Sequence, residues 1–204
     1  FTDEDGETQT FPSLFDDASV KLTLVVPAYN EEKRIRKMLN ETIKYLNKKR
    51  YTSEIVIVDD GSADKTAEVA IKYQSRYGPE VRVMKLAQNQ GKGGAVQQGV
   101  LHARGEYILM VDADGATNIE DLDLLMDAME ASEKKEKKRG KKKAAKNQTA
   151  AWTNLGIAVG SRAHMQEKAT AKRKWYRSLL MHGFHMLVWL FAVKTIKDTQ
   201  CGFK

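Results

Sequence analysis

Two stretches of this chain each run a continuous apolar segment straight into paired carboxylates and a glycine: EIVIVDDGS at 54–62 and ILMVDADG at 108–115. A strand that is apolar at nearly every position has no solvent face, so both of its sides must be covered. Parallel sheets meet that need, because the crossover between parallel strands is usually a helix that packs on the sheet. The sequence supplies such helices. KLTLVVPAYN predicts a strand over 22–26, closed by Pro27, and Ile35, Leu39, Ile43 and Leu46 then recur at helical spacing. After the second strand, Asp64 is placed to cap a helix in KTAEVAIKYQSRY. VRVMKL, GGAVQQGVLHAR, EYILMVDAD and IEDLDLLMDAME continue the alternation as strand, helix, strand and helix. The predicted class is α/β: a mostly parallel sheet flanked by helices.

The chain has 204 residues and a formal net charge of +7. A basic balance points to an anionic partner, but EKKEKKRGKKKAAK at 133–146 carries most of the excess. That run is expected to be a solvated loop, an insertion over 133–150, with contact to anionic lipid as its sharper reading. Residues 1–19 read as an irregular acidic tail, 20–170 as the main domain and 171–204 as a helical segment at a membrane interface. LGIAVGSR is expected to form a further short strand. Cys201 is the only cysteine, so no internal disulfide is possible. No apolar run reaches the ~18 residues of a clear bilayer span. The start at Phe1 and the stop after QCGFK are expected to be internal cuts, with an N-terminal anchor outside this chain. The segment 172–197 has a basic start, KRKWYR, and then LLMHGFHMLVWLFAV. It suits a buried helix or one lying in a membrane interface with Trp175 and Trp189 near the headgroups. His182 and His185 within it suit packing better than metal binding. Asn40-Glu41-Thr42 and Asn147-Gln148-Thr149 match the glycosylation triplet, the first inside a predicted helix.

In an open parallel sheet, ligands bind outside the carboxyl ends of the strands. Four polar signals fall at those ends: PAYNE, DDGS, NQGKGG and DADG. Each alone is ordinary turn chemistry, but four on one edge call for a ligand. Asp112 and Asp114 are two apart, so in an extended segment they point the same way. Their repulsion is relieved by a cation, and oxygen ligands suit Mg²⁺ or Mn²⁺, which would also bridge a diphosphate. The glycines at 91, 93 and 94 permit close backbone approach, the helix start behind them favours an anion, and Lys92 adds charge. No Gly-Lys-Ser/Thr or Gly-x-Gly-x-x-Gly pattern is present, which demotes NTP hydrolysis and dinucleotide binding. A nucleotide-diphosphate donor fits best.

VVPAYNEE, IVIVDDGSADKT, NQGKGGAVQQG and DADG resemble the GT-A type glycosyltransferases of family 2. VDADGAT, AVGSRAH, MHGFHMLVW and KDTQCGFK are similar to the dolichyl-phosphate glucosyltransferases of eukaryotes within that family. The resemblance implies a GT-A catalytic domain over 20–170 that binds its donor through Pro27, Tyr29, Glu31, Asp59, Lys92 and Asp112. Asp59 would accept the uracil imide N–H, and Tyr29 would contact the base or pack at the strand end. Asp112 and Asp114 would hold the metal, with Asp112 also facing the sugar. Related mannose synthases have Gln where this chain has Ala116, so water or donor oxygens would complete the coordination. Arg162 and Arg177 would bind the acceptor phosphate, for which guanidinium is apt, and Gln200 would line the pocket. Met181 replaces a family Ser, and that contact is not carried over.

The implied reaction is a single inverting displacement: dolichyl phosphate attacks UDP-glucose, with Asp112, Asp114, Arg162, Arg177 and Gln200 as the catalytic set. Asp60 would steady the loop after the second strand. The implied location is the cytosolic leaflet of the endoplasmic reticulum membrane, with no nucleic-acid partner. Two rivals remain at this point: transfer of mannose from GDP-mannose, and a basic module binding nucleic acid or acidic membrane through the lysine run.

Overall fold

The computed structural model describes residues 16–143, 156–158 and 160, with side chains up to residue 134 in the longer stretch. Four strands alternate with four helices: β1 (Val20–Ala28), α1 (Glu32–Leu46), β2 (Ser53–Asp59), α2 (Thr66–Tyr77), β3 (Val81–Lys85), α3 (Gly91–Leu101), β4 (Gly105–Met110) and α4 (Leu122–Lys143). Short 3₁₀ turns at Gly78–Glu80 and Ile119–Asp121 lead into β3 and α4. All three strand pairings are parallel, in the order β3-β2-β1-β4. The α/β expectation is borne out, and the sheet with its helices has the GT-A character that the resemblance implies.

The apolar pattern explains the layering. Leu22, Leu24, Val25 and Val26 in β1 and Ile55 to Val58 in β2 are at most 2% exposed, so both faces of the central strands are covered. The predicted stripe of α1, Ile35, Leu39, Ile43 and Leu46, is buried together with Met38. Truncating a residue such as Leu39 to Ala would cost about 2–5 kcal/mol. α3 crosses β1 and β2 closely at Gly99, where an added Cβ would lie 2.4 Å from a Val25 methyl and 3.1 Å from a Val58 methyl. β4 is less covered than its sequence predicts: Tyr107 and Leu109 are buried, whereas Glu106 and Ile108 are exposed. Pro27 does not close β1, because the strand pairs on through Ala28. Asn40 lies in α1, and Thr42 beside it is 2% exposed with its hydroxyl donated to Met38 Sδ. That triplet is therefore locked in the fold.

Toward the amino ends of the strands, one buried carboxylate ties all four together. Glu54 Oε1 accepts from Thr23 Oγ1 (2.6 Å) and the Arg104 N–H (2.8 Å), and Oε2 accepts from Arg82 Nε (3.0 Å) and Arg104 Nε (2.7 Å). Arg82 and Arg104 also donate to the carbonyls of His102 and Pro79. Burial pulls the Arg82 guanidinium below its ordinary pKa, and the Glu54 carboxylate opposes that shift.

Two expectations need correction. The lysine run is not a loop from residue 133, because α4 continues through Lys143. Lys, Glu, Arg and Met are strong helix formers, and Glu130 and Glu133 precede Lys134 and Lys137 by four, the favourable order. The strand expected at LGIAVGSR is not formed at 156–158 and 160, which lie in no regular element. By contacts the described residues up to Ala131 form one compact unit, and those from Ser132 onward belong to a second. Among the described residues, no helix is long and apolar enough to cross a membrane.

Candidate active site

The strand order reverses between β1 and β4, since β2 and β3 extend to one side of β1 and β4 lies on the other. At such a switch point the loops leave in opposite directions and open a crevice at the carboxyl ends. A cleft of about 450 Å³ lies there, lined from all four strand tips. Cofactor and substrate pockets commonly span about 300–1,000 Å³, so the cleft is of useful size.

The β1 tip contributes Pro27, half-exposed Tyr29 and Glu31. Asn30 between them takes a left-handed conformation at φ 55°. Its N–H donates to Ser62 Oγ and its Oδ1 accepts from the Ala63 N–H, both at 2.9 Å. The Glu31 N–H donates to Thr66 Oγ1 (2.8 Å), and the Glu32 N–H donates to Asp64 Oδ2 (3.2 Å). Asp64 Oδ1 also accepts from the Thr66 N–H (2.9 Å). One carboxylate thus serves the starts of both α1 and α2. Burial pushes the Asp64 carboxyl up, but the hydrogen bonds from Thr66 and Glu32 outweigh it and leave the pKa lowered. Asp64 accepts the first N–H of α2 from one residue ahead of the cap position, which Lys65 occupies without a side-chain bond, and its grip on the β1 loop was not expected. Glu31 pairs through Oε1 with Arg34, while Oε2 is buried without a partner among the described residues.

The two aspartates of the β2 tip divide the work. Asp60 lines the cleft and accepts the Gln90 N–H at 2.7 Å, and its carbonyl accepts from Asn89 Nδ2 at 3.2 Å. This steadies the loop, as expected. Asp59 is 0% exposed, does not line the cleft, and neither carboxylate oxygen has a hydrogen-bond partner among the described residues. Contact with a nucleoside would require the wall in front of it to shift. Gly61, at φ 71°, fits the tight passage here, since an added Cβ would lie 3.1 Å from the Asn89 nitrogen.

Between β3 and α3, Asn89 turns the chain by accepting the Gly91 N–H at 3.0 Å. The first turn of α3 then meets the cleft with Gly91 and Lys92. Its cap residue, Gln90, makes no side-chain cap bond and the turn holds no acidic residue, so what offsets its positive end comes from outside the helix.

At the β4 tip, the Val111 N–H reaches the Val25 carbonyl at 2.9 Å, which carries the extended backbone one residue past the strand. Ala113 is buried while Asp112 and Asp114 remain accessible on either side of it, the alternation expected of an i, i+2 pair. Lys92 Nζ lies 2.5 Å from Asp112 Oδ1. Asp114 Oδ1 accepts the Ala116 N–H at 2.9 Å. Among the described residues, no group of three or more His, Cys, Asp or Glu forms a protein-only metal cage. Two carboxylates lining one open cleft nevertheless fit a hard divalent ion of the kind that takes one or two protein carboxylates and completes its shell with phosphate oxygens and water. The pair fits such a group, and Lys92 already presents a positive charge to one of its members.

A sequence model described as glycosyl transferase family 2 matches residues 23–185. The chain belongs to that family. It is 48% identical over 204 residues to a Drosophila melanogaster dolichyl-phosphate beta-glucosyltransferase, covering 97% of this chain and 58% of that protein. The human protein of that name is 46% identical over 100% of this chain and 60% of its own length. The one from Saccharomyces cerevisiae is 45% identical over 93% of this chain and 55% of its own length. The chain thus spans about three fifths of these relatives.

The family member's cleft gathers Pro27, Tyr29, Glu31, Lys92, Asp112 and Asp114 of the expected site, with Asp59 buried outside its lining. Arg162, Arg177, Gln200, His182, His185, Trp175 and Trp189 lie outside the described residues, as does the apolar segment around them. Asn89, Ser62 and Thr66 are additions that sequence reasoning missed. Their signal was a run of short polar residues directly after strand ends, which reads as generic turn chemistry until the partner loop is known.

Proposed function

We propose that the protein transfers glucose from UDP-glucose to dolichyl phosphate, giving dolichyl β-D-glucosyl phosphate and UDP. The observation that carries this reading is the switch-point cleft gathering Asp112, Asp114 and Lys92 with Tyr29, Glu31 and Asp60. The names of the relatives supply the acceptor and the sugar.

In the reaction, one oxygen of the lipid phosphate bonds to the anomeric carbon while the bond from that carbon to the donor diphosphate breaks. The electron pair leaves with UDP, and inversion follows from the single displacement. The attacking phosphate is ionised near neutrality, so no general base is required. A divalent cation, Mg²⁺ or Mn²⁺, would neutralise the departing diphosphate when held by Asp112 and Asp114. The N–H groups opening α3 and the Lys92 ammonium face the same anion. Tyr29 would lie against the base, and Asp59, buried and unpartnered, suits an imide donor. Arg162 and Arg177 are the groups assigned to the acceptor phosphate, with Gln200 beside them. Their guanidinium groups would fix the nucleophile and offset repulsion between two anions.

The acceptor is a membrane lipid, so the reading puts the cleft at the cytosolic face of the endoplasmic reticulum membrane, with the apolar residues 179–193 at the lipid surface. A glycan on Asn147 in the native host would overturn that topology.

The test offers UDP-glucose and GDP-mannose in parallel, with dolichyl phosphate in detergent and with Mg²⁺ or chelator. Metal-dependent glucosyl-lipid from UDP-glucose alone is expected. Mannosyl-lipid instead would overturn the sugar assignment, and no glycolipid from either with folded protein would overturn the activity.

A further inference from the structure

Lys92 stands where a helix least favours a cation. It is the second residue of α3, at the positive end of the helix dipole, where the first turn holds no acidic residue although Asn89 accepts the Gly91 N–H. Its position is stabilised by an anion in front of it, and in this structure that anion is Asp112, 2.5 Å from the ammonium. Asp112 is the same carboxylate that a divalent ion would use. A lysine ammonium and a divalent ion in contact with one carboxylate repel each other, so each weakens the hold of the other.

We propose that Lys92 is an exchangeable internal counter-ion. With no nucleotide bound it occupies Asp112 and suppresses divalent-ion binding. A nucleoside diphosphate draws the ammonium onto its phosphates and releases Asp112 to the incoming ion. The inference rests on the donor reading above and adds an order to it: metal and nucleotide enter together. The pair is half-exposed, 54% at Lys92 and 29% at Asp112, so its two partners are free to separate without unpacking the core. By thermodynamic reciprocity, UDP must tighten Mn²⁺ by the same factor as Mn²⁺ tightens UDP.

The test measures Mn²⁺ affinity of the whole chain by paramagnetic resonance of free Mn²⁺, with and without UDP, in wild type, Lys92→Met, Lys92→Arg and Asp112→Asn. Lys92→Met is expected to bind Mn²⁺ without nucleotide about threefold to fivefold more tightly than wild type, the size expected for a partly exposed ion pair. UDP should then tighten Mn²⁺ less in Lys92→Met than in wild type, because the internal competitor is gone. Lys92→Arg should restore the wild-type pattern, and Asp112→Asn should weaken Mn²⁺ in both conditions. If folded Lys92→Met binds Mn²⁺ no more tightly than wild type while wild type binds Mn²⁺ and UDP, the counter-ion role fails and the donor reading stands. If wild type binds neither, both fail.

Discussion

Glu54 and Asp59 lie on the same strand, β2, and both are sealed from solvent. Glu54 accepts hydrogen bonds on both oxygens and is flanked by two guanidinium groups. Asp59 has no partner on either oxygen among the described residues. A buried charge is costly unless it is paired, so the two carboxylates cannot serve the same end. At the amino end of the sheet the charge is compensated within the fold and ties four strands together. At the carboxyl end the Asp59 carboxyl finds no such compensation among the described residues, and the proposed nucleoside contact would supply it. The difference separates the part of this sheet built for stability from the part built for binding, where local rules are broken for function.

The largest expected effect breaks the compensated end. Glu54→Ala leaves Arg82 and Arg104 facing each other without their carboxylate, and should cost about 3–5 kcal/mol of stability. Urea denaturation reads it. A loss below about 1 kcal/mol would mean that the clamp does not hold the strands.

At the other end the order of effects inverts. Asp114→Asn should lower glucosyl transfer by about 100-fold or more, the usual scale for removing one electrostatic contact to a departing group. Its denaturation midpoint should scarcely move, because Asp114 is exposed and its bond among the described residues is the local one to Ala116. A variant that lost stability and activity together would blur the distinction.

Asp59→Asn is the sharpest comparison with Glu54→Ala. Replacing this buried carboxyl by an amide of the same shape should leave stability within about 1 kcal/mol while weakening UDP measured by calorimetry. A larger destabilisation would show that Asp59 has a compensating role in the resting fold.

The strand ends were legible because strand, turn glycine and carboxylate follow one another in sequence. Which aspartate of DDGS faces the cleft was not. Successive strand residues point to opposite sides, and the register that decides between Asp59 and Asp60 is set by pairing with β1 and β3. The Glu54 clamp was equally silent, because its arginines come from β3 and the start of β4. The latch from Ser62, Asp64 and Thr66 to the β1 loop joins residues more than thirty apart, which periodicity cannot report. The lysine run misled for a different reason. It has no apolar stripe, so only intrinsic propensity marked its helix.

The smallest effect concerns that latch and has a defined pH window. Asp64 has a lowered pKa in the folded chain, because its carboxylate accepts the N–H groups that open α1 and α2. A depressed carboxyl pKa contributes stability above the unfolded value of about 4. That contribution is lost as pH falls through the folded value. Wild type should therefore exceed Asp64→Asn by a constant margin from neutrality down to about pH 4, and the margin should close in more acid solution. Denaturation midpoints measured across that range decide it. The margin should be modest, since the carboxylate is only partly covered and water replaces a lost acceptor cheaply at an accessible helix start. A margin that instead persisted unchanged into strong acid would mean that the latch works through shape and not through charge.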